Sequence, residues 1–169
     1  MGKTNIFISV AQPCNIEQQN FIDAFFQILK EYDLNPCAIG ITYYSSDTPL
    51  NSIIKLMNNC NATIVIAFER IYLSNGKEKR GGPKEKDLRN QKIPSVWNQI
   101  EATMAYMLHL PIFVIAEEGI RQEGLLEECY DWRVLSVPLN KDYLNSEEFR
   151  GVIKSWAEKV HKISNDRYQ

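Results

Sequence analysis

Short runs of consecutive apolar residues alternate along this chain with longer segments in which apolar residues recur at helical spacing. Residues 5–10 form such a run and suit a buried parallel strand. A polar turn at 11–15 leads to a helix predicted over 16–32. Its Phe21, Ile22, Phe25, Phe26, Ile28 and Leu29 share one face, and Asn15 serves as N-cap with Gln18 three residues on. Residues 36–43 read as a second strand, and residues 44–48 as a loop. A helix opening at Pro49 is expected to bury Leu50, Ile53, Ile54 and Met57 and to end near Asn61. The strongest strand signals are 62–68 and 111–116. Between them lie a long polar stretch and a helix over 94–110. A weaker strand at 132–139 and an amphipathic helix at 146–164 complete the pattern, the helix carrying Phe149, Val152, Ile153, Trp156 and Val160 on one face.

Strands that are apolar throughout, alternating with helices, predict a parallel sheet covered on both faces. The fold class is therefore α/β: one flavodoxin-like three-layer sandwich spanning residues 1–169, with a five-stranded, mainly parallel sheet in the order 2-1-3-4-5. Ligands of such folds sit at the carboxyl ends of the strands. That rule selects Ser9 and Gln12 after the first strand, Ser46 and Asp47 after the second, Phe68 and Arg70 after the third, and Glu117 at the end of the fourth. Each of these residues also reads as ordinary loop or capping chemistry.

Composition changes this picture little. A net charge of −2 gives no global attraction to nucleic acid or anionic membrane. No apolar run approaches the ~20 residues of a bilayer span, and the first residues lack the apolar core of a signal peptide. Ile6 stands where a myristoylation signal wants Ser or Thr. Cys14, Cys37, Cys60 and Cys129 are widely spaced, and only His109 and His161 accompany them, so neither a zinc site nor any other metal is expected. The same scattered cysteines read as reduced thiols of a cytoplasmic protein.

Local charge is more informative. The stretch 71–93 holds seven basic residues against three acidic ones, so it carries +4 and the remainder of the chain −6. Gly81-Gly82-Pro83 prevents one continuous helix there, and the stretch reads as a basic loop insertion. Such a loop is either a lid that brings cations to an anionic ligand or a solvated insertion. Aromatic residues other than Tyr72 are missing from it, which argues against nucleic acid.

Glycine-rich phosphate motifs are absent. The first turn, residues 11–15, has no glycine, and neither G-x-G-x-x-G nor G-x-x-x-x-G-K-[ST] occurs. A dinucleotide fingerprint and a P-loop are thereby excluded. A receiver domain fits no better, because Glu69 stands where its phosphoacceptor aspartate would be.

Glu101 is the chief candidate for chemistry. It is the only charged residue between Lys92 and Glu117. On the helix over 94–110, Val96, Ile100, Met104 and Met107 are expected to face the core, with Trp97, Glu101, Ala105 and Leu108 as the neighbouring stripe. A carboxylate among Trp, Ala and Leu should be desolvated, with a raised pKa suited to acid–base work. It also reads as a helix glutamate at the rim of the core. Trp97 reads either as packing or as a stacking surface for a base. No serine–histidine–acid set is visible, since both histidines lie far from the strand ends.

At these residues the chain resembles the TIR-like and nucleoside 2-deoxyribosyltransferase-like group of Rossmannoid enzymes. Phe7-Ile8-Ser9 is similar to the opening strand of TIR domains, and Ser95-Val96-Trp97 followed by Glu101 is similar to their Ser-x-Trp-x-x-x-Glu pattern. Residues 101–105 followed by 110–115 resemble equally the deoxyribosyltransferase pattern, in which a catalytic glutamate starts a small-residue helix leading to a strand. The likeness covers most of the chain by element order, but only residues 5–10 and 94–117 by motif. Asn98 departs from it where many TIR domains carry cysteine, as does the long stretch before the helix.

The resemblance implies cleavage of an N-glycosidic bond, with NAD as substrate rather than cofactor, by a glycohydrolase or cyclase acting in antiphage immune signalling. A nucleoside or nucleotide N-glycosidase or transferase is the runner-up that the resemblance implies, and a reading of a different class is an inactive nucleotide-sensing module that uses the same crevice. Glu101 would be catalytic and Trp97 would shape the base pocket. Ser9 and Gln12 would hold phosphate or ribose, and Arg70 with the basic stretch the diphosphate. A nucleotide is the implied ligand, with a homo-oligomer or an effector protein as partner.

Overall fold

The computed structural model describes residues 3–127 and 131–167. Its elements follow the order β1 (Thr4–Val10), α1 (Ile16–Glu31), β2 (Leu34–Cys37), α2 (Pro49–Met57), β3 (Ala62–Ala67), β4 (Ile71–Glu78), β5 (Lys86–Ile93), α3 (Val96–Met107), β6 (Ile112–Glu117), β7 (Arg133–Val137), α4 (Lys141–Leu144) and α5 (Glu147–Arg167). A five-stranded sheet runs β2-β1-β3-β6-β7, and every pairing in it is parallel. The flavodoxin-like order expected from the sequence is thus present, in a sheet that is parallel throughout.

Alternation along the strands sorts the core into two layers. Ile6 and Ile8 of β1 and Ile64 and Ile66 of β3 face one side, where Phe21 and Phe25 of α1 and Phe149 and Ile153 of α5 cover them. Phe7, Val65 and Ala67 face the other side, against Ile53 and Met57 of α2 and Ala102 and Ala105 of α3. Strands buried on both faces need apolar residues at every position, and that is why they read as unbroken runs.

Three expectations need correction. The second strand starts at Leu34 and ends at Cys37 instead of covering 36–43, because the chain turns at Ala38, whose carbonyl accepts from the amides of Ile41, Thr42 and Tyr43. Gly40 (φ +72°) sits in the left-handed region there, and a Cβ on it would come within 2.8 Å of the Gln12 amide nitrogen. In α2 the buried residues are Ser52, Ile53, Leu56 and Met57, whereas Leu50 and Ile54 are exposed.

The third correction concerns 71–93, which is an antiparallel β-hairpin rather than a loop. β4 and β5 pair from Ile71–Ile93 to Glu78–Lys86. Its turn is fastened by Glu85, whose carboxylate accepts from the Gly81 amide and pairs with Lys77. Both faces of the ribbon are largely solvated, so its strands lack the apolar alternation that would announce them.

At its base the ribbon is tied to the sheet. The Arg70 amide donates to the Ile93 carbonyl (2.9 Å), and the Arg121 amide to the Lys92 carbonyl (2.8 Å). Lys92 Nζ reaches Glu117 Oε1 at 2.7 Å, and that hydrogen bond holds the lysine above its ordinary pKa. No helix of the described residues is long and apolar enough to cross a membrane.

Candidate active site

α3 starts after Pro94, with the Ser95 hydroxyl accepting from the Trp97 amide at 3.3 Å. The face it lays on the sheet is not the apolar stripe expected from the sequence. Val96, Ile100 and Met107 are exposed, and Asn98, Glu101, Ala102 and Ala105 are buried. The alanines allow close approach to the strands, and the two polar side chains are carried inward over the end of β1.

Ser9 meets them there. It shares the parity of Phe7 and so points to the α2/α3 layer, fully buried. Asn98 Nδ2 donates to the Ser9 carbonyl (3.1 Å), the Ser9 hydroxyl oxygen (3.0 Å) and more weakly the Ile66 carbonyl (3.4 Å). Asn98 Oδ1 is buried without a hydrogen-bond donor among the described residues. Glu101, 8% exposed, lies on the same buried face one turn further along. Burial pushes its carboxyl up to about 7, with the neighbouring Ser9 hydroxyl opposing the rise. Near neutrality both its protonated and its ionised forms are populated, which suits proton transfer or stabilisation of positive charge.

The rim is formed by loops on both sides of β1 and β3. Gln12 is exposed and donates through Nε2 to the Gly40 carbonyl at 2.9 Å. Arg70 is exposed, with Nη1 at 2.9 Å from Cys14 Sγ and 3.5 Å from the Gln12 carbonyl. Buried Gln18 joins the loops by accepting from the Cys14 amide and donating to the Glu69 carbonyl. Asn15 caps α1 by accepting from the Gln18 amide at 2.9 Å. Trp97 stands one turn before Glu101 and is 43% exposed.

The other expected site residues lie differently. Phe68 has the parity of Ile64 and Ile66, so its ring is core on the opposite face, edge-on to Phe21 at 5.8 Å. Glu117 is buried and occupied, one oxygen accepting from the Glu69 amide (2.8 Å) and the other paired with Lys92. Ser46 is exposed, and Asp47 is ion-paired with Lys55 at 2.7 Å, which holds its carboxyl below the usual range. Ser9 and Glu101 are therefore brought together, Gln12 and Arg70 share the rim, and Phe68 is removed from it.

Asn98, Gln18 and Lys92 are members of this framework that sequence reading did not select. For Asn98 a signal was available: positions 98, 101, 102 and 105 form a helical face of small and polar residues. An open hollow of about 380 Å³ beside the start of α3 is lined by Pro94, Ser95, Gln99, Arg121 and Gly124, and Glu101 does not line it. Among the described residues no group of three His, Cys, Asp or Glu converges to hold a metal. His161 is engaged at the far end of β1, against Thr4 Oγ1 and the Tyr32 carbonyl. Cys129 lies outside the described residues.

No family model matches the sequence, and no curated protein matches it. Solved structures do. A CMP N-glycosidase of Clostridium botulinum, BcmB, superposes with a TM-score of 0.51 at 13% identity, covering 83% of this chain and 93% of that one. FerB of Paracoccus denitrificans, a flavoenzyme NAD(P)H:(acceptor) oxidoreductase, gives 0.47 at 9% identity over 96% and 98% of the two chains. The TIR domains of the activated Roq1 resistosome give 0.44 at 14% identity over 96% and 84%. The fold is thus a Rossmannoid one that an N-glycosidase shares.

Proposed function

We propose that this protein cleaves an N-glycosidic bond of a nucleotide, with NAD as substrate and Glu101 as the catalytic carboxylate. The observation that carries the reading is the Glu101 side chain, buried beside Ser9 at the carboxyl end of the central strands, with its carboxyl raised to about 7. Departure of the base leaves an oxocarbenium-like sugar, which a nearby carboxylate stabilises through space or traps covalently. Nicotinamide leaves a pyridinium as a neutral molecule and needs no proton, so the ionised form of Glu101 is the working form. Trp97 offers its half-exposed indole to the base, and Gln12 and Arg70 offer donors to ribose and phosphate. Likeness of fold to a CMP N-glycosidase supports the reaction class and makes nucleoside monophosphates the second substrate set.

The test is product analysis by liquid chromatography and mass spectrometry, with NAD and separately with deoxynucleosides and nucleoside monophosphates. Nicotinamide release that rises with pH through about 7 and disappears in Glu101→Gln is the expected result. Free base from the nucleoside panel alone would transfer the assignment to a nucleotide N-glycosidase or transferase. Ligand binding without any product would make the protein a sensor. Full turnover by Glu101→Gln would remove the carboxylate from the mechanism.

A further inference from the structure

Two of the four cysteines, far apart in sequence, meet on the α2/α3 side of the sheet. Cys37 closes β2, where it pairs in register with Phe7 of β1. Cys60 ends the turn after α2, its amide donating to the Met57 carbonyl at 2.9 Å, and the next amide, of Asn61, donates to the Asn5 carbonyl at 2.8 Å. β1 therefore has a cysteine-bearing segment on each flank. The Asn5 side chain, which shares the facing of Phe7, clamps the two segments together. Its Oδ1 accepts from Asn35 Nδ2 at 2.8 Å, and its Nδ2 donates to the Asn59 carbonyl at 3.1 Å. Across the clamped segments the Cys60 thiol donates to Cys37 Sγ. Cys60 is 5% exposed, whereas Cys37 is only partly buried.

We infer that Cys37 and Cys60 form an oxidisable dithiol, a site at which hydrogen peroxide closes a disulfide within the folded chain. Cys37 is the thiol that meets the oxidant, being the more exposed of the pair. The hydrogen bond from Cys60 holds the Cys37 thiol below its ordinary pKa. The same bond, with burial, holds Cys60 above its own, so the thiolate resides on Cys37. That thiolate attacks one peroxide oxygen. An S–O bond forms, the O–O bond breaks, and the departing hydroxide takes a proton from solvent and leaves as water. The Cys60 sulfur then attacks the sulfenic sulfur of Cys37. An S–S bond forms, the S–O bond breaks, and the hydroxyl leaves as water with the proton that Cys60 gives up. Two thiols are thereby oxidised by two electrons, and one peroxide is reduced to two waters. The new bond ties together both ends of the segment 38–59, which includes Gly40, the partner of Gln12 at the rim of the candidate site. Nothing in this chemistry depends on the reaction proposed above.

Peptide mapping without reduction tests the inference. Trypsin cuts after Lys30, Lys55 and Arg70, which places Cys37 on peptide 31–55 and Cys60 on 56–70, with Cys14 on 4–30 and Cys129 on 122–133. The reduced, folded chain is treated with hydrogen peroxide, and the remaining thiols are blocked with N-ethylmaleimide. A linked pair of 31–55 with 56–70, released by dithiothreitol, is the expected product, with Cys14 and Cys129 recovered as maleimide adducts. Treatment in urea is expected to abolish the preference for this pair, because the Asn5 clamp is then gone. Cys60→Ala, with its fold checked by circular dichroism, is expected to stop at the Cys37 sulfenic acid, captured by dimedone on 31–55. Absence of the linked pair in the folded wild type, linkage of Cys37 chiefly to Cys14 or Cys129, an equal yield of the pair in urea, or no dimedone adduct in a folded Cys60→Ala chain would each overturn the inference. The wild-type result needs no variant to fold, and it is read from a covalent bond, so its failure is distinct from a failure of the glycosidase reading.

Discussion

Helices α5 and α3 both lie on the sheet, and they solve the problem in opposite ways. α5 turns Phe149, Ile153, Ala157 and Val160 inward and its charged residues outward. Hydrophobic burial therefore decides its orientation. α3 turns Asn98, Glu101, Ala102 and Ala105 inward and leaves Val96, Ile100 and Met107 in solvent. Its orientation is fixed by the Asn98 hydrogen bonds to Ser9 and by close packing of two alanines. A helix that spends its buried face on a carboxylate forgoes apolar burial there. One is oriented by apolar burial and the other by buried polar contacts and close packing, and the pattern of apolar residues alone does not separate them.

The contrast can be attacked at several points. The largest effect is expected from Glu101→Gln, with turnover falling by about 10³-fold, on the order of 4 kcal/mol of transition-state stabilisation, in the product assay above. Next, Phe149→Ala on α5 should cost about 3–5 kcal/mol in urea unfolding, whereas Met107→Ala on α3, measured in dilute solution, should stay within about 0.5 kcal/mol. Equal costs would show that the two helices are not different in kind.

The pH dependence of stability follows in size. Glu101 has its folded pKa raised from 4.5 to about 7, so between these values the native state binds more protons than the unfolded chain. The slope of unfolding free energy against pH is then negative, and stability is lost as pH rises from about 4.5 to 7. Glu101→Gln removes that loss. Its stability relative to wild type should climb across this window and level off above it, by up to about 3 kcal/mol. A pH-independent difference in chemical denaturation would refute the desolvated carboxylate. A smaller loss of stability is expected from Asn98→Ala, about 1–2 kcal/mol in the same unfolding measurement, because its side chain has one amide shared among three acceptors and one oxygen without a donor among the described residues.

Much of the fold was legible because parallel strands buried on both sides announce themselves as runs, and β1, β3 and β6 do so. Their alternation with helices predicts a parallel sheet, and the order 2-1-3-4-5 is the common one for five such strands. The hairpin was hidden for the converse reason: β4 and β5 bury neither face, so their residues carry no period-two signal. Glu101 was legible as a lone charge in an apolar setting. The face of α3 was misjudged because apolar content was equated with burial, although the alanine pair at 102 and 105 marks the close-packed side. Phe68 was mislocated by one step of alternation. A residue at a strand end has the right height for a site, and only its parity decides which side of the sheet it serves.

The β4–β5 ribbon leaves the sheet at Arg70 and returns at Ile93 across a single hydrogen-bonded pair. Departure and return therefore occupy almost the same place, and beyond the Arg121–Glu78 ion pair (3.1 Å) the body of the fold has no record of how far the chain travels in between. Adding two residues to each strand beyond the Glu78–Lys86 pair keeps the facing of the side chains below it and would carry the basic turn outward by about 6.8 Å, without shifting α3, the Arg121–Glu78 pair or the Lys92–Glu117 link. The ribbon is in this sense a cassette of adjustable length, and its reach can change while the buried carboxylate keeps its surroundings.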